Sequence, residues 1–295
     1  MMKAQFRAAA LALALVFSAL PVAAQQRITT DTALASMVAA ERAFSKHSLE
    51  RGAQDAFLTW MSGDGFLYRP RVVSAHAFLR ARPMPRGTLL TWDPAFADVA
   101  ASGDLGYTTG EWISSRRDFP DAPPTFGQYA TIWRRQMDGA WKAELNVGVA
   151  HEPDAVGVKS LATAAPPEYR STTRGNAPDR ASLFSADSAL SATARSSNAA
   201  TAFQARAGAG MRLLRMGRFP IRGDSANALL RATPSYRWQH AGGGISAAGD
   251  LGYTYGVYSI VPQGRNAEGG DYLRIWRRDR GGVWRVVLDL TSPAR

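Results

Sequence analysis

Four side chains have the types and the spacing to form a small catalytic or binding site. Tyr107 and Glu111 are four residues apart on a predicted strand and therefore lie on the same face of it. Arg134 belongs to the next predicted strand, and Trp60 to a short predicted helix. A carboxylate among aromatic side chains has a raised pKa and acts as a general acid or base, and a phenol donates to a developing oxyanion.

These residues allow two interpretations, and the sequence leaves both open. In the first, Glu111 is the acid–base group, Tyr107 is its catalytic partner, and both bind the ligand together with Trp60 and Arg134. In the second, Glu111 only pairs with Arg134 or faces solvent at the end of its strand. The later repeat of this strand carries Val257 in place of Glu111, so any catalytic acid belongs to the earlier strand alone.

The strand that carries Tyr107 begins with Gly-Asp-Leu-Gly-Tyr-Thr, a phrase that occurs at 103–108 and again at 249–254. A phosphate-binding loop would need a helix and a lysine after its glycines, whereas strand residues follow here. We predict a turn and a bend instead, in which the first glycine takes a positive φ and Asp104 binds turn amides two residues on. Gly106 and Gly110 have no side chains above the strand backbone, and we expect aromatic side chains of the next strand to cover the backbone there.

Neither a metal site nor a cofactor site is predicted. The four histidines do not have the spacing of metal ligands. The stretch AGAGM at 207–211 lacks the third glycine of a dinucleotide-binding turn, and the chain has no GxSxG motif. We therefore expect no metal and no cofactor.

The repeated phrase is part of a duplication as long as a domain. Positions up to this phrase recur 146 residues later, and positions after it recur 143 residues later, because the second copy has a shorter loop. The stretch GQYATIWRRQMDGAWKAELN at 127–146 thus aligns with GDYLRIWRRDRGGVWRVVLD at 270–289. Matches in the same order over this length indicate two tandem copies of one domain, not a solenoid.

Within each copy, helical periodicity comes first and strand alternation follows. In the first copy we predict a helix that Thr30 or Asp31 caps and Gly52 ends, followed by helices over 54–61 and over 74–82. The predicted strands follow at 89–92, 96–100, 105–113, 128–136 and 141–147. This order predicts the α+β class, with an antiparallel sheet and helices on one of its faces.

The phrases GDLGYTTGEW and GQYATIWRRQMDGAWK, with helices before them, resemble the nuclear transport factor 2-like superfamily. Within it they are similar to the SnoaL-like and ketosteroid isomerase-like branch, with its secreted bacterial domains of unknown function. The resemblance covers 33–147 and, more weakly, 181–291. It implies two tandem cone-shaped domains, each a curved antiparallel sheet wrapped around N-terminal helices, with a cavity at the open end. Some members are isomerases, cyclases or dehydratases and many have no chemistry, so the resemblance specifies no activity.

Alternation along the strands assigns residues to the two faces of the predicted sheet. The predicted concave face carries the site residues and their neighbours: Leu105, Tyr107, Thr109, Glu111, Ala130, Ile132 and Arg134. The opposite face mixes aromatic residues with arginine, which is typical of interfaces: Tyr129, Thr131, Trp133 and Arg135. We expect the two copies to pack through this face as an intramolecular pseudo-dimer. The last strand has an apolar face that we predict as core: Trp141, Ala143, Leu145 and Val147.

The first residues are typical of a secretory signal peptide, because Lys3 and Arg7 precede the apolar run at 8–20 and small residues follow it. The run is short for a membrane span, and a retained anchor is the alternative. We therefore expect a periplasmic or secreted protein with no membrane span after cleavage. The predicted boundaries are 1–24 for the signal peptide, 25–150 for the first copy, 151–180 for a linker, and 181–295 for a second, degenerate copy.

The amino-acid composition limits which classes of binding partner we expect. The chain has no cysteine, so each domain is stable without disulfides in a compartment that permits them. The net charge is +11, but the arginines are scattered and the protein is predicted to be exported, so we expect no nucleic-acid partner. Two functions stay open: binding of a small hydrophobic ligand or a partner segment in the first cone without catalysis, or cofactor-independent isomerase, cyclase or dehydratase chemistry through Glu111.

Overall fold

The structure is a computed structural model that describes residues 29–69, 71–153, 160–168, 180–232, 236–260 and 268–294. The predicted signal peptide and residues 154–159 and 169–179 of the predicted linker lie outside these ranges. Within them, no helix is both long enough and apolar enough to cross a membrane.

The first copy begins with helices and continues with strands, as its residue pattern predicts. Its elements are α1 (Thr30–Arg51), α2 (Ala53–Trp60), β1 (Met61–Tyr68), β2 (Val72–Ser74), α3 (Ala75–Ala81), β3 (Thr88–Val99), β4 (Leu105–Arg116), β5 (Thr125–Arg135), β6 (Trp141–His151) and β7 (Ala162–Thr163). Thr29 caps α1 by accepting a hydrogen bond from the amide of Thr32, and Gly52, with a φ of 96°, ends this helix. The strand order is β2-β1-β6-β5-β4-β3-β7.

The second copy repeats this arrangement. Its elements are α4 (Arg180–Ser196), α5 (Ala199–Arg206), β8 (Ala207–Arg215), β9 (Arg218–Ile221), α6 (Gly223–Ala232), β10 (Tyr236–Ile245), β11 (Leu251–Ile260), β12 (Glu268–Arg278) and β13 (Trp284–Pro293). The strand order β10-β11-β12-β13-β8-β9, read from β9 to β10, equals that of the first sheet without β7 when equivalent strands are matched. Two separate sheets, each with its own helices, confirm the predicted α+β class.

Both sheets are mixed, so the prediction of wholly antiparallel sheets is wrong for some strand pairs. β1 runs parallel to β6, with Phe66 opposite Leu145, and β8 runs parallel to β13, with Arg212 opposite Leu288. The long connection from β1 to β6 permits this, because it passes through α3 and four further strands. Part of the predicted linker also joins the first sheet, since β7 pairs in parallel with β3.

The two faces of the first sheet are the reverse of the prediction. Tyr129 and Trp133 pack with residues of α1 and α2, so their face is the concave one. Tyr107, Ala130 and Ile132 pack instead with residues of the second sheet. Alternation grouped these residues correctly, but the aromatic side chains fill the deeper space under the helices and the smaller ones form the contact between the sheets.

A bulge in the last strand of each copy shifts the alternation. Glu144 is the extra residue in β6, and Val287 is its equivalent in β13. As a result, Ala143 lies under the helices whereas Leu145 lies between the sheets. The prediction of a single core face on this strand is therefore wrong: Trp141 and Ala143 lie on one side of the sheet, and Leu145 and Val147 on the other.

The turns that open the repeated phrases bind one another across the contact between the sheets. Asp104 accepts a hydrogen bond from the amide of Ala247 at 3.1 Å, and Asp250 accepts one from the amide of Ala101 at 2.9 Å. The prediction that Asp104 binds amides of its own turn is therefore wrong. The predicted positive φ of Gly103 is confirmed, at 66°.

Gly106 allows α1 to lie close against the first sheet. A Cβ atom at this position would lie 2.3 Å from Sδ of Met37. Gly252 has the same role in the second copy, where a Cβ atom would lie 2.7 Å from Cδ2 of Leu183. The predicted aromatic cover is wrong for Gly106, because a helix residue covers it.

Candidate functional site

The four predicted site residues do not meet in one pocket. Trp60 lies on the helix side of the first sheet, where its indole donates to a ring nitrogen of a histidine in α1 at 3.1 Å. Tyr107 lies on the other side, within the apolar cluster between the sheets, and is 1% exposed. Arg134 also lies on that side and donates to Glu144 at 2.8 Å and to Asp104 at 3.1 Å.

Glu111 lies at the margin of the space between the two sheets. Its side chain is 39% exposed, and one carboxylate oxygen is 3.9 Å from Nε2 of the buried His151. Glu111 does not form the pair with Arg134 that the second interpretation allowed, because that guanidinium is engaged by two other carboxylates. The catalytic roles of Glu111 and Tyr107 stay predictions.

A buried carboxylate that the sequence reasoning missed lies in the first cone, the space between α1 and the concave face of the first sheet. Glu41 of α1 is fully buried and accepts hydrogen bonds from Trp92, Thr108 and Trp133, the last at 2.8 Å. Burial raises the pKa of Glu41, and the hydrogen bonds from Thr108, Trp133 and Trp92 oppose that rise. Its donors are all protein groups, so Glu41 fixes α1 to three strands.

The spacing of residues along α1 could have identified Glu41 as a buried carboxylate. Met37, Glu41, Phe44 and Ser48 are spaced as one buried face of a helix. An acidic residue in such a series must find hydrogen-bond partners inside the protein. The equivalent position of the second copy, Asp187, is likewise buried on α4.

The first cone also contains a cavity of about 300 Å³. Most of its wall is aromatic or aliphatic, and a few polar groups reach it; its lining residues are Phe57, Arg69, Leu90, Trp92, Trp112, Ser114, Thr125, Tyr129, Asn146 and Gly148. The hydroxyl of Tyr129 is buried and makes no hydrogen bond of good geometry among the residues that the structure describes, although the Thr108 side chain lies near it. Burial raises the pKa of this phenol well above its ordinary value and outweighs the opposing effect of Thr108, so the hydroxyl remains a donor.

In the second copy an ion network occupies the equivalent space. Arg274 is fully buried and donates to Asp187 at 2.5 Å and to Asp289 at 2.8 Å. Arg215 donates to the other oxygen of Asp289 at 2.5 Å. Burial lowers the pKa of Arg274, but the two carboxylates outweigh burial and raise it. The second cone is therefore filled by paired charges.

Two of the residue differences between the cones determine the ion network. Thr131 is the equivalent of Arg274, and Asn146 is the equivalent of Asp289. The first copy thus lacks the guanidinium and one of the carboxylates that fill the second cone. It keeps Arg69, the equivalent of Arg215, which donates to the Tyr68 carbonyl at 2.7 Å instead of to a carboxylate.

The Glu41→Gln variant should show that the buried carboxyl makes stability depend on pH. Because the pKa of Glu41 is raised in the folded protein, the unfolded chain loses this proton first as the pH rises. The free energy of unfolding of the wild type should therefore fall, relative to the variant, from the ordinary carboxyl pKa up to the raised pKa, and then stay constant. Urea denaturation of both proteins between about pH 4 and pH 8 measures this difference. A difference that does not change with pH would contradict the assignment.

Among the residues that the structure describes, no group of three or more histidine, aspartate or glutamate side chains is arranged to hold a metal ion. The acidic residues of both cones are instead bonded to protein donors. The chemistry that the first cone offers is thus apolar contact, with hydrogen bonding at Tyr129, Asn146 and Arg69.

Comparison with known proteins gives matches among solved structures. No protein-family model matches the chain, and no curated protein is significantly similar to it. A conserved protein from Planctomyces limnophilus has 16% identity, covers 39% of this chain and 98% of its own, and superposes with a TM-score of 0.34. A ketosteroid isomerase-like protein from Erwinia carotovora atroseptica has 17% identity, covers 41% of this chain and 97% of its own, and gives a TM-score of 0.32.

A nuclear transport factor 2-like superfamily protein from Salmonella enterica has 17% identity, covers 44% of this chain and 98% of its own, and gives a TM-score of 0.34. Many of the matched structures are thus nuclear transport factor 2-like or ketosteroid isomerase-like proteins, the group that the strand phrases resemble. At these identities the likeness concerns the fold alone.

Proposed function

We propose that this protein is an exported binding protein whose first cone holds a small, largely apolar molecule that carries one hydrogen-bonding oxygen. The cavity of about 300 Å³ beside Trp92 and Trp112 is the observation that carries this proposal. Small-molecule sites are typically concave, mostly apolar, and fitted with a few polar groups that fix orientation. Export is supported by the signal-peptide pattern of residues 1–24.

The polar groups of the cavity favour a ligand that accepts hydrogen bonds. The unpartnered hydroxyl of Tyr129 is a buried donor, and Arg69 is a second donor at the wall. A buried donor without a partner costs about 1–3 kcal/mol, which a ligand oxygen would recover on binding. Binding without catalysis is favoured because the buried acid, Glu41, is already occupied by three donors.

The second copy has a supporting function in this proposal. We infer an intramolecular pseudo-dimer, in which the second copy covers the outer face of the first sheet. The reciprocal bonds of Asp104 and Asp250 support it, because equivalent residues exchange equivalent contacts, as they do in a two-fold interface. The buried ion network around Arg274 uses the second-copy equivalents of Arg69 and Asn146, two polar residues that line the ligand cavity of the first cone.

Replacing Asn146 with aspartate tests the proposed ligand site. Aspartate already occupies the equivalent position of the second copy, Asp289, so the fold should tolerate aspartate at position 146. The new carboxylate should pair with Arg69 and remove that donor from the ligand. We expect affinity for 2-naphthol, used as an apolar probe with one hydroxyl, to fall at least about 10-fold in isothermal titration, a change of about 1.4 kcal/mol.

The matched control is Asn227→Asp on α6, which adds the same charge outside the cavity lining. Its affinity for 2-naphthol should equal that of the wild type. The double variant Thr131→Arg/Asn146→Asp copies the residues that fill the second cone and should abolish binding. Wild-type affinity in both cavity variants, or no binding of any apolar probe to the wild type, would refute the proposed function.

A further inference from the structure

On one side of the contact between the two sheets, side chains fill the space between them. On the equivalent side, a space is left between the sheets. On the closed side, the rings of Phe66 and Tyr255 lie 5.7 Å apart. The residues equivalent to these are Arg212 and Thr109, at the same positions of β8 and β4. A pair of large aromatic rings is thus replaced by an arginine and a small hydroxyl residue, and space opens between the sheets.

This space consists of two cavities of about 460 and 440 Å³. Phe96, Arg212 and Arg222 line both of them, and we call the combined space the inter-sheet cleft. It lies on the face of the first sheet opposite to the first cone. Its size is that of a small-molecule site. It shares only Trp92 with the lining of the ligand site proposed above.

Arg212 is the unusual group in the inter-sheet cleft. It is 8% exposed, and its guanidinium lies 3.5 Å from the centre of the Phe96 ring. Its Nε has no hydrogen-bond partner within the described part of the chain. Other arginines of the same contact do have carboxylate partners: Arg134 pairs with Glu144 and Asp104, and Arg277 with Asp98.

A buried guanidinium without an anionic partner is costly, because the interior solvates its charge poorly. Burial accordingly lowers the pKa of Arg212, which an adjacent anion would reverse. Arg222, an exposed residue in the wall of both cavities, adds a second positive charge at this place. The charges and the geometry both leave a position for one negative group.

We propose that the inter-sheet cleft is a second ligand site, in which Arg212 binds the carboxylate of a small organic acid and the apolar walls hold its body. A planar guanidinium matches a carboxylate in a bidentate arrangement. Ile113, Leu214 and Pro220 supply apolar surface in the larger cavity, and Val287 does so in the smaller one.

The carboxylates in the walls favour a monoanion over a phosphate dianion. Asp93 and Glu111 line the larger cavity, and Asp98, Glu168 and Asp279 line the smaller one, where Asp98 pairs with Arg277 and Asp279 with Arg285. Repulsion between like charges grows with the charge of the ligand, so a dianion would be disfavoured more strongly. The apolar walls likewise favour an acid with a hydrocarbon body over acetate.

Isothermal titration of the full chain with benzoate, acetate, inorganic phosphate and benzyl alcohol tests this inference. We expect benzoate to bind at one site that depends on Arg212, and the other three probes to bind at this Arg212-dependent site at least about 10-fold more weakly. Arg212→Gln should weaken benzoate binding at least about 10-fold, whereas Arg218→Gln, which removes an exposed arginine of β9, should have no effect.

A second variant separates loss of the site from loss of the fold. Arg212→Met removes the unpaired charge and should keep or raise the melting temperature of the ligand-free protein, while the rise caused by benzoate disappears. Asn146→Asp should leave benzoate binding unchanged, because the first cone is a different site. Benzoate affinity that survives both Arg212 variants, or that is lost in Asn146→Asp alone, would overturn the inference. Binding of benzyl alcohol that depends on Arg212 and equals that of benzoate would exclude a carboxylate site. Equally tight Arg212-dependent binding of phosphate or acetate would exclude an apolar body.

Discussion

Replacement of Asp187 with asparagine is expected to lower the free energy of unfolding by about 3–5 kcal/mol. Asp187 and Arg274 are both fully buried, and their charged atoms lie 2.5 Å apart. Asparagine would leave Arg274 with only Asp289, which already serves Arg215. One positive charge would then be buried without compensation, which is among the largest penalties that a single substitution can cause. Urea denaturation of the full chain at neutral pH measures this loss.

Two controls define the origin of the expected loss. Glu41→Gln changes the equivalent position of the first copy, where no cation is buried, and should cost only about 1–3 kcal/mol through its broken hydrogen bonds. Asp224→Asn removes an exposed carboxylate of α6 and should change stability by less than about 0.5 kcal/mol. If Asp187→Asn cost no more than Glu41→Gln, the ion network would not be the element that stabilises the second cone.

Substitution of Gly110 with alanine should destabilise the first sheet by about 3 kcal/mol, the upper part of the usual range for overpacking. A Cβ atom at this position would lie 2.1 Å from the carbonyl oxygen of Asp93. The contact is with the backbone at the bulge between Pro94 and Phe96, which no side-chain rotation can relieve. Gly256→Ala should behave alike, since its Cβ would lie 2.1 Å from the carbonyl oxygen of Gln239.

The control for these variants is Gly63→Ala in β1. A Cβ atom at Gly63 would have no atom within 4 Å, so this substitution tests the effect of alanine itself. Thermal and urea denaturation should rank Gly63→Ala near the wild type and both strand variants well below it. Equal stability of Gly110→Ala and Gly63→Ala would show that the bulge does not require glycine.

Local patterns were sufficient to predict the helices and most strands. The stop at Gly52 agrees with the end of α1, and the predicted helices over 54–61 and 74–82 agree with α2 and α3. β1 was missed because its first half reads Met-Ser-Gly-Asp-Gly, which is typical of a turn. Its pairing with β6 supplies the hydrogen bonds that its local sequence does not suggest.

The candidate site was harder to predict, because it depends on which face of a strand meets which element. Alternation cannot say which face is concave, and the bulge at Glu144 reverses the order within β6. The assignment of Tyr107 to the cone was wrong for the first reason, and the placement of Ala143 and Leu145 on one core face was wrong for the second. The exchange of Thr131 for Arg274 was visible in the aligned copies, but its consequence depends on the depth at which both residues lie.

The reciprocal bonds between Asp104 and Asp250 have a consequence for how the two copies were able to diverge. In an assembly of identical subunits every substitution appears twice, so one subunit cannot be open while the other is filled. Covalent tandem linkage removes this restriction and keeps the halves at a high effective concentration, whatever the dilution of the protein. One copy can then become a rigid support while the other copy keeps its cavity.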